Sequence, residues 1–385
     1  MGLGTGKEHV IGRGQKFFAM AETVHGTFVK PTATDAVKTQ QSSFKVEPSR
    51  EPIVENTDYR EDFEMMTGKS KYSWSWDGQL IPSGTAATEC DAGPMLTAAC
   101  GADNNGGSSK WIYTPSNTQD WPTLSIVRCY STLWMEAMWG AWVNGMSLKV
   151  QGGSAPQLHF EGGAMGYVIT GSSTLNGAMV ASASMVVATA DKNLFGVNSV
   201  VQVAALTNTG AGYQITTAAA PPTFTLESAI SADTAAVVIP YVPTPTYTGS
   251  PIAGIAGSLT IDGAALAITS FELALDNGHE AFEDEALTAA ATDFVPGMLK
   301  LTGSISVRMR KDYLPYFANP KTFETADIAV VIGSGAGTRF KVDVDAAEFK
   351  RPEASLTPDH KAGTVKLDFS ALATSGNDSF AITTD

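Results

Sequence analysis

Residues 268–312 constrain this chain more than any other stretch. They open with an alternation, Ile268, Ser270, Glu272 and Ala274 against Thr269, Phe271, Leu273 and Leu275. They close with another, Leu299, Leu301, Gly303, Ile305, Val307 and Met309 against Lys300, Thr302, Ser304, Ser306, Arg308 and Arg310. A period of two over such lengths predicts two half-buried strands, each with one face on a core and one face wet. Between them runs a long polar link carrying Glu280, Glu283, Asp284 and Glu285. Taken alone, the alternation predicts an antiparallel β protein.

The rest of the composition agrees. Thirty-seven glycines and runs of Thr, Ser and Ala favour short strands and tight turns over helices. At 385 residues the chain is long enough for two or three domains and a substantial core. Acid exceeds base by 39 to 25, a net charge of −14. That balance argues against a surface that grips nucleic acid, which needs cations to displace counterions from phosphate. It does not argue against a surface that DNA slides past, where like charge prevents sticking. Three cysteines, Cys90, Cys100 and Cys129, contain no CxxC pair and fit synthesis in a reducing cytoplasm. The first residues hold no apolar secretory core, and residues 178–190 are too short and too rich in Ser and Thr to span a bilayer. A soluble protein without membrane anchoring is expected.

Along the chain, residues 1–44 are Gly-rich, basic at first (Lys7, Arg13, Lys16) and weakly periodic, which predicts a flexible N-terminal arm. Tyr72, Trp74 and Trp76 then alternate with Lys71, Ser73 and Ser75, placing three aromatics on one strand face. A short helix follows, with Asp91 as its expected cap, Pro94 in its first turn and Gly101 at its end. Strands are expected over residues 124–131, 146–150 and 158–170. Residues 191–248 carry only four charges (Asp191, Lys192, Glu227, Asp233) and end in a proline-broken linker. Their evenly spaced strand signals predict a small all-β module inserted into a larger sandwich. The expected division is therefore 1–44, 45–190, 191–248 and 249–385.

Several chemical motifs fail on context. Gly68-Lys69-Ser70 lacks the earlier glycine of a phosphate loop, since Phe63 stands there, and alternating strand follows it. Gly2–Gly6 and Gly333–Gly337 lack the strand-before, helix-after setting of a dinucleotide site. The histidines His9, His25, His159, His279 and His360 show no ligand spacing. Glu280, Glu283, Asp284 and Glu285 lack the register of a calcium loop and fit a solvated link. No catalytic, cofactor-binding or metal-ligating residue is predicted, and the chain is not expected to be an enzyme.

The strand, acidic loop and "LTGSISVRM" strand of 268–312 resemble the second half of a long-tailed bacteriophage tail tube protein. Earlier pieces are similar to the same family and in its order: "KSKYSWSWDGQL", "GPMLTAACG", "TLSIVRCYST" with "WGAWVNGMSLKV", and "GGAMGYVITG". The closing "FKVDVDAAEFKRPEASLTPDHKAGTVKLDFSAL" is similar to the family's last strands. The resemblance spans most of 45–190 and 250–385. It implies a mainly β fold: an antiparallel β-sandwich or barrel core with a short flanking α-helix, plus the inserted all-β module. It further implies a structural virion protein, made in the host cytoplasm, whose six copies close a ring by joining sheets across subunits. Rings stack into a hollow, sheathless tail tube through the arm 1–44, the loop 276–297 and the C-terminus. The implied partners are other copies of the chain, a tape measure protein in the lumen, tail terminator and distal tail proteins, and genomic DNA in passage.

Two other classes compete. A carbohydrate-binding surface or tail-fibre sandwich needs an exposed aromatic platform, for which Trp134, Trp139 and Trp142 are the candidates, although burial is their usual fate. A hydrolase on a β-sandwich needs a carboxylate pair that the sequence does not single out.

Overall fold

The computed structural model describes residues 14–52, 65–105, 110–176, 182–204, 212–230, 237–252, 257–282, 288–308, 325–350, 353–355 and 364–385. The first half supplies β1 (Gln15–Ala21), β2 (Gln41–Pro52), β3 (Met65–Gln79), α1 (Gly93–Cys100), β4 (Leu124–Tyr130), β5 (Trp134–Gln151), β6 (Gln157–Ala164) and β7 (Gly166–Thr170). The second half supplies β8 (Gly257–Ile261), β9 (Ile268–Asp276), β10 (Lys300–Arg308), β11 (Ala326–Ile332), β12 (Phe340–Phe349), β13 (Glu353–Ser355), β14 (Thr364–Ala371) and β15 (Ala381–Thr384). The fold is mainly β, and its large sheets are antiparallel.

Eight of these strands lie side by side in the order β2-β3-β6-β5-β9-β10-β14-β12, all antiparallel. The alternation of 268–312 is realised here over 268–276 and 300–308, while Met309 and Arg310 lie outside the described residues. Phe271, Leu273 and Leu275 of β9 and Leu301, Ile305 and Val307 of β10 are buried, while their polar neighbours form the other face. A second layer covers the apolar face. It contains β1, β4, the first half of β5 and β7, and beside them β8, β11, β12 and β15. Between the layers sits the main core, from Trp74, Trp76 and Phe160 to Leu273, Val342 and Phe369, with Met95 and Leu96 of α1 packed into it.

The 18-residue strand β5 belongs to both layers. Residues 134–141 pair with β4 and β7, and residues 145–151 pair with β6 and β9. The corner lies at Gly140, whose φ of 55° is the left-handed region. A Cβ there would lie 2.6 Å from Met165 Sδ, and its N–H donates to Glu22 Oε1 at 2.8 Å. The same carboxylate accepts from Thr123, Ser125 and the Gly26 N–H, so one side chain fixes the corner and two neighbouring segments.

A separate six-stranded sheet runs Ser173–Thr174, Val237–Pro240, Val200–Val203, Tyr213–Ala220, Thr223–Ile230, Ser182–Val186. It has its own cluster, including Phe195, Tyr213, Ile215, Phe224 and Leu226. The strands expected between 191 and 248 are present as four, Val200–Val203, Tyr213–Ala220, Thr223–Ile230 and Val237–Pro240, but the sheet begins at Ser173. It packs on the far side of the second layer, where Val200, Tyr241 and Val242 meet Phe18, Met20, Val127 and Met135.

Two expectations are corrected. Residues 1–44 are not an arm throughout. From Gln15 onward the chain is a core strand, seven residues in register with β4, and Phe17 and Phe18 are fully buried. Residues 1–13 lie outside the described residues. Asp91 does not cap α1: the N-cap is Ala92 with no side-chain bond, and Asp91 instead accepts from Thr248 Oγ1 at 2.8 Å. Gly101 does end the helix, with φ 93°.

The two halves repeat one topology. In the first, the pairings are β1–β4, β4–β5, β5–β7, β2–β3, β3–β6 and β6–β5. In the second, they are β8–β11, β11–β12, β12–β15, β9–β10, β10–β14 and β14–β12, in the same sense. Each half gives the eight-stranded sheet four strands in the same sequence order, first-second-fourth-third.

Candidate assembly surfaces

Three surfaces stand out once the core is accounted for. The first is the wet face of the eight-stranded sheet. Its cross-strand rows are short polar residues and opposite charges: Gln41, Asp77, His159, Ser147, Ala274, Thr302 and Ser370 lie in one row. His159 Nδ1 lies 2.7 Å from Asp77 Oδ1, and two lysine–carboxylate ion pairs stand on the face, Lys149–Glu272 at 2.6 Å and Lys366–Asp368 at 3.1 Å. Exposed pairs of this kind contribute about 0–1 kcal/mol each, so their main effect is to cancel local charge.

The second surface is the free edge at β2, which pairs with β3 and with no other strand among the described residues. Lys45, Val46, Glu47 and Pro48 are exposed along it, and Lys45 forms an ion pair with Glu47. Charges and proline are common guards on an edge that would otherwise template aggregation. At the strand's start, Arg128 of β4 donates from Nη1 to the Ser42 carbonyl and lies over the Phe44 ring, fixing the edge in place.

The third is the loop after β9. Asn277 is buried and donates from Nδ2 to the carbonyls of Ala99 and Val143, both at 2.9 Å. The His279 N–H donates to Asn144 Oδ1, and its ring meets Trp121 and Phe294 edge-on, each at 5.0 Å. Burial lowers the His279 pKa to about 4. Phe294 stacks on Trp142 at 4.9 Å and on His25, whose Nε2 is 3.0 Å from Asp293 Oδ1. The loop thus folds back over its own sheet. It borders a groove of about 980 Å³ whose other side includes Ser43, Lys45, Ser73, Ser75 and Glu161. Phe282, Val295 and Met298 remain exposed on it, Met298 at 76%.

The other sequence candidates fall elsewhere. Trp134 is exposed against Tyr130, Trp139 packs edge-on to Phe28, and Trp142 is buried under Phe294. They share no platform, which removes the feature that a carbohydrate-binding reading required. Gly68-Lys69-Ser70 lies within strand β3, so no helix amides face it. The 333–337 glycines lie in the turn between β11 and β12. Cys90, Cys100 and Cys129 are free and buried, with burial pushing all three thiols well up, Cys90 and Cys129 to about 12. Among the described residues, no group of three or more His, Cys, Asp or Glu could hold a metal, and no helix is long and apolar enough to cross a membrane. Gly2–Gly6, His9, Glu283, Asp284, Glu285 and His360 lie outside the described residues. The free edge was missed in the sequence, where the signal for it is Pro48 and Pro52 set among charges.

A comparison with curated proteins finds no match. A family model described as "Phage tail tube protein" matches residues 12–373, nearly the whole chain and both halves of the repeat. With a β-sandwich core and an extended polar sheet face already described, this match carries the assignment: the chain belongs to the phage tail tube protein family.

Proposed function

We propose that copies of this chain join edge to edge into closed rings, and that the rings stack into a hollow tail tube that conducts DNA. The observation that carries this reading is the eight-stranded sheet itself, polar and charge-balanced on one face and open at β2. Closing such a sheet into a barrel removes the exposed edge. The polar face becomes the wall of the lumen, where paired charges and short hydroxyls give DNA little to adhere to. The layer order supports that orientation. The six-stranded sheet packs on the opposite side of the sandwich, so it stands outside the wall and leaves the passage clear.

The exposed Phe282, Val295 and Met298, together with residues 1–13, make the contacts between stacked rings. A tape measure protein occupies the lumen during assembly, and tail terminator and distal tail proteins close the two ends. The role is structural rather than enzymatic, in the tail of the virion. Negative-stain electron microscopy of the concentrated protein tests the reading. Hollow tubes or closed rings are expected. Compact single particles at every concentration, with purified tail tips added as initiator, would sink it.

A further inference from the structure

The repeated topology extends to residue-level detail. In the β4–β5 hairpin the register shifts by one residue between Leu124 and Ile126, and in the β11–β12 hairpin it shifts between Ala326 and Ile328. Along β6 the pairing of β5 shifts once more between Val143 and Gly145. Along β14 it shifts between Phe349 of β12 and Glu353 of β13, so that β12 and β13 together retrace β5. Glu47 pairs with Lys71 and Asp276 with Lys300, the same spacing of 24 positions across both long hairpins. Register therefore fixes the counterparts: Gln41 matches Ser270, Val46 matches Leu275, and Ser147 matches Glu353.

The two units are already joined once. Residues 145–151 of β5 pair with 270–276 of β9, and the junction buries Met146, Leu148, Leu273 and Leu275 while Lys149 and Glu272 pair across it. The same two edges recur at the ends of the sheet. Among the described residues, β2, the counterpart of β9, pairs only with β3, and β13, on the line of β5, pairs only with β14. Val46 is 38% exposed, whereas its counterpart Leu275, covered by the internal junction, is 2% exposed.

We infer that β2 of one copy pairs antiparallel with the β12–β13 edge of the next, reproducing between chains the β5–β9 junction inside the chain. Carrying the internal register across sets Ser43 opposite Ser355, Phe44 opposite Ala354 and Lys45 opposite Glu353, a pair of opposite charge. The contact is head-to-tail, so it closes a ring instead of a two-fold dimer. Each chain supplies eight strands of the wall, and three chains supply 24. At about 4.8 Å between strands and a tilt of about 35–45°, 24 strands close at roughly 45–50 Å between opposite backbones. Two chains would give a wall of porin size, with only a narrow channel. Six chains, the number that the resemblance implies, would double the circumference. A six-unit wall therefore takes three chains, each carrying one six-stranded outer sheet. This inference rests on the tube reading above.

The full-length protein tests it through charge exchange and ring stoichiometry. Lys45→Glu and Glu353→Lys are each expected to reduce ring or tube formation at least tenfold, with circular dichroism unchanged, and the double variant to restore it. Class averages should show three peripheral densities around a six-fold wall, and light scattering should give the mass of three chains per ring. Rings of six chains, or assembly indifferent to both single exchanges, overturn the inference and leave the tube reading intact. Absence of any ring or tube from the wild type overturns both.

Discussion

Arg128 donates through Nε and Nη2 to a single carboxylate oxygen of Glu136, and both residues are buried between the layers. The other Glu136 oxygen accepts from Tyr167 at 2.9 Å, and Arg128 Nη1 reaches the Ser42 carbonyl. The pair therefore couples β4, β5 and β7 to the edge strand β2. Removing one partner strands the other as a buried charge, at a cost of about 3–5 kcal/mol. Arg128→Ala should lose stability on that scale in a denaturant titration and raise amide exchange along β2. Arg128→Met with Glu136→Leu should recover most of the stability. A double variant as unstable as the single one would show that packing, not the stranded charge, sets the cost.

His279 makes the loop sensitive to acid. Its two ring nitrogens are buried without hydrogen-bond partners, and burial holds its pKa near 4, below the usual value of about 6.5. The folded state thus prefers the neutral ring. Its stabilisation is complete above about pH 6.5 and falls away as the pH drops toward 4. The slope is at most about 1.4 kcal/mol per pH unit, less where solvent reaches the ring. Hydrogen exchange over 277–282 and 288–297 should quicken across that window. His279→Phe keeps the edge contacts with Trp121 and Phe294 and should abolish the pH response; an unchanged response in that variant would assign it to another group.

Glu89, just ahead of α1, bends the stability curve the opposite way. Burial, with the nearby Asp103 charge adding to it, raises its carboxyl to about 7. Here the folded state binds the extra proton, so stability falls as the pH rises from about 4.5 to 7 and is flat beyond. The total is on the order of 1–3 kcal/mol. In a His279→Phe background, which silences the loop's own response, Glu89→Gln should melt at nearly the same temperature at pH 5 and pH 8, while the chain that keeps Glu89 melts lower at pH 8 than the Gln variant does. Equal pH dependence in both proteins would count against Glu89.

Much of this architecture is written as period-two alternation. The strands of 268–312, Tyr72 to Trp76, and the four strands of 191–248 all read correctly because each has one wet face or a short, bounded apolar run. β1 did not read that way. Phe17 and Ala19 face the main core while Phe18 and Met20 face the six-stranded sheet, and a strand buried on both faces shows no alternation. The internal repeat is hidden for a related reason. Trp74 matches Gly303 and Tyr72 matches Leu301, so the halves share pattern and hairpin length but few residue identities. Leu158-His159-Phe160-Glu161 against Val365-Lys366-Leu367-Asp368 is the clearest surviving echo. Which surfaces assemble was less legible still, because an open edge is a property of what is absent beside a strand.

The corner of β5 separates backbone strain from crowding. Gly140 needs φ 55°, and any Cβ there would also lie within 3 Å of Met165 Sδ, Cγ and Cβ. A left-handed conformation costs a non-glycine residue about 1–2 kcal/mol, and overpacking adds about 1–3 kcal/mol. Gly140→Ala should therefore destabilise by about 2–5 kcal/mol. Met165→Ala in the same chain opens the space but cannot change φ, so it should recover only the crowding share, less what the lost methionine packing itself costs. At the matching bulge of the second half stands Ala346, which is buried and is not among the residues of positive φ. That half turns the matching corner without a left-handed residue, since β12 runs through Ala346 as one strand. Chemical denaturation of the single and double variants reads the two contributions directly. Full recovery in the double variant would mean that φ 55° carries no strain at this corner and that contact with Met165 alone selects glycine.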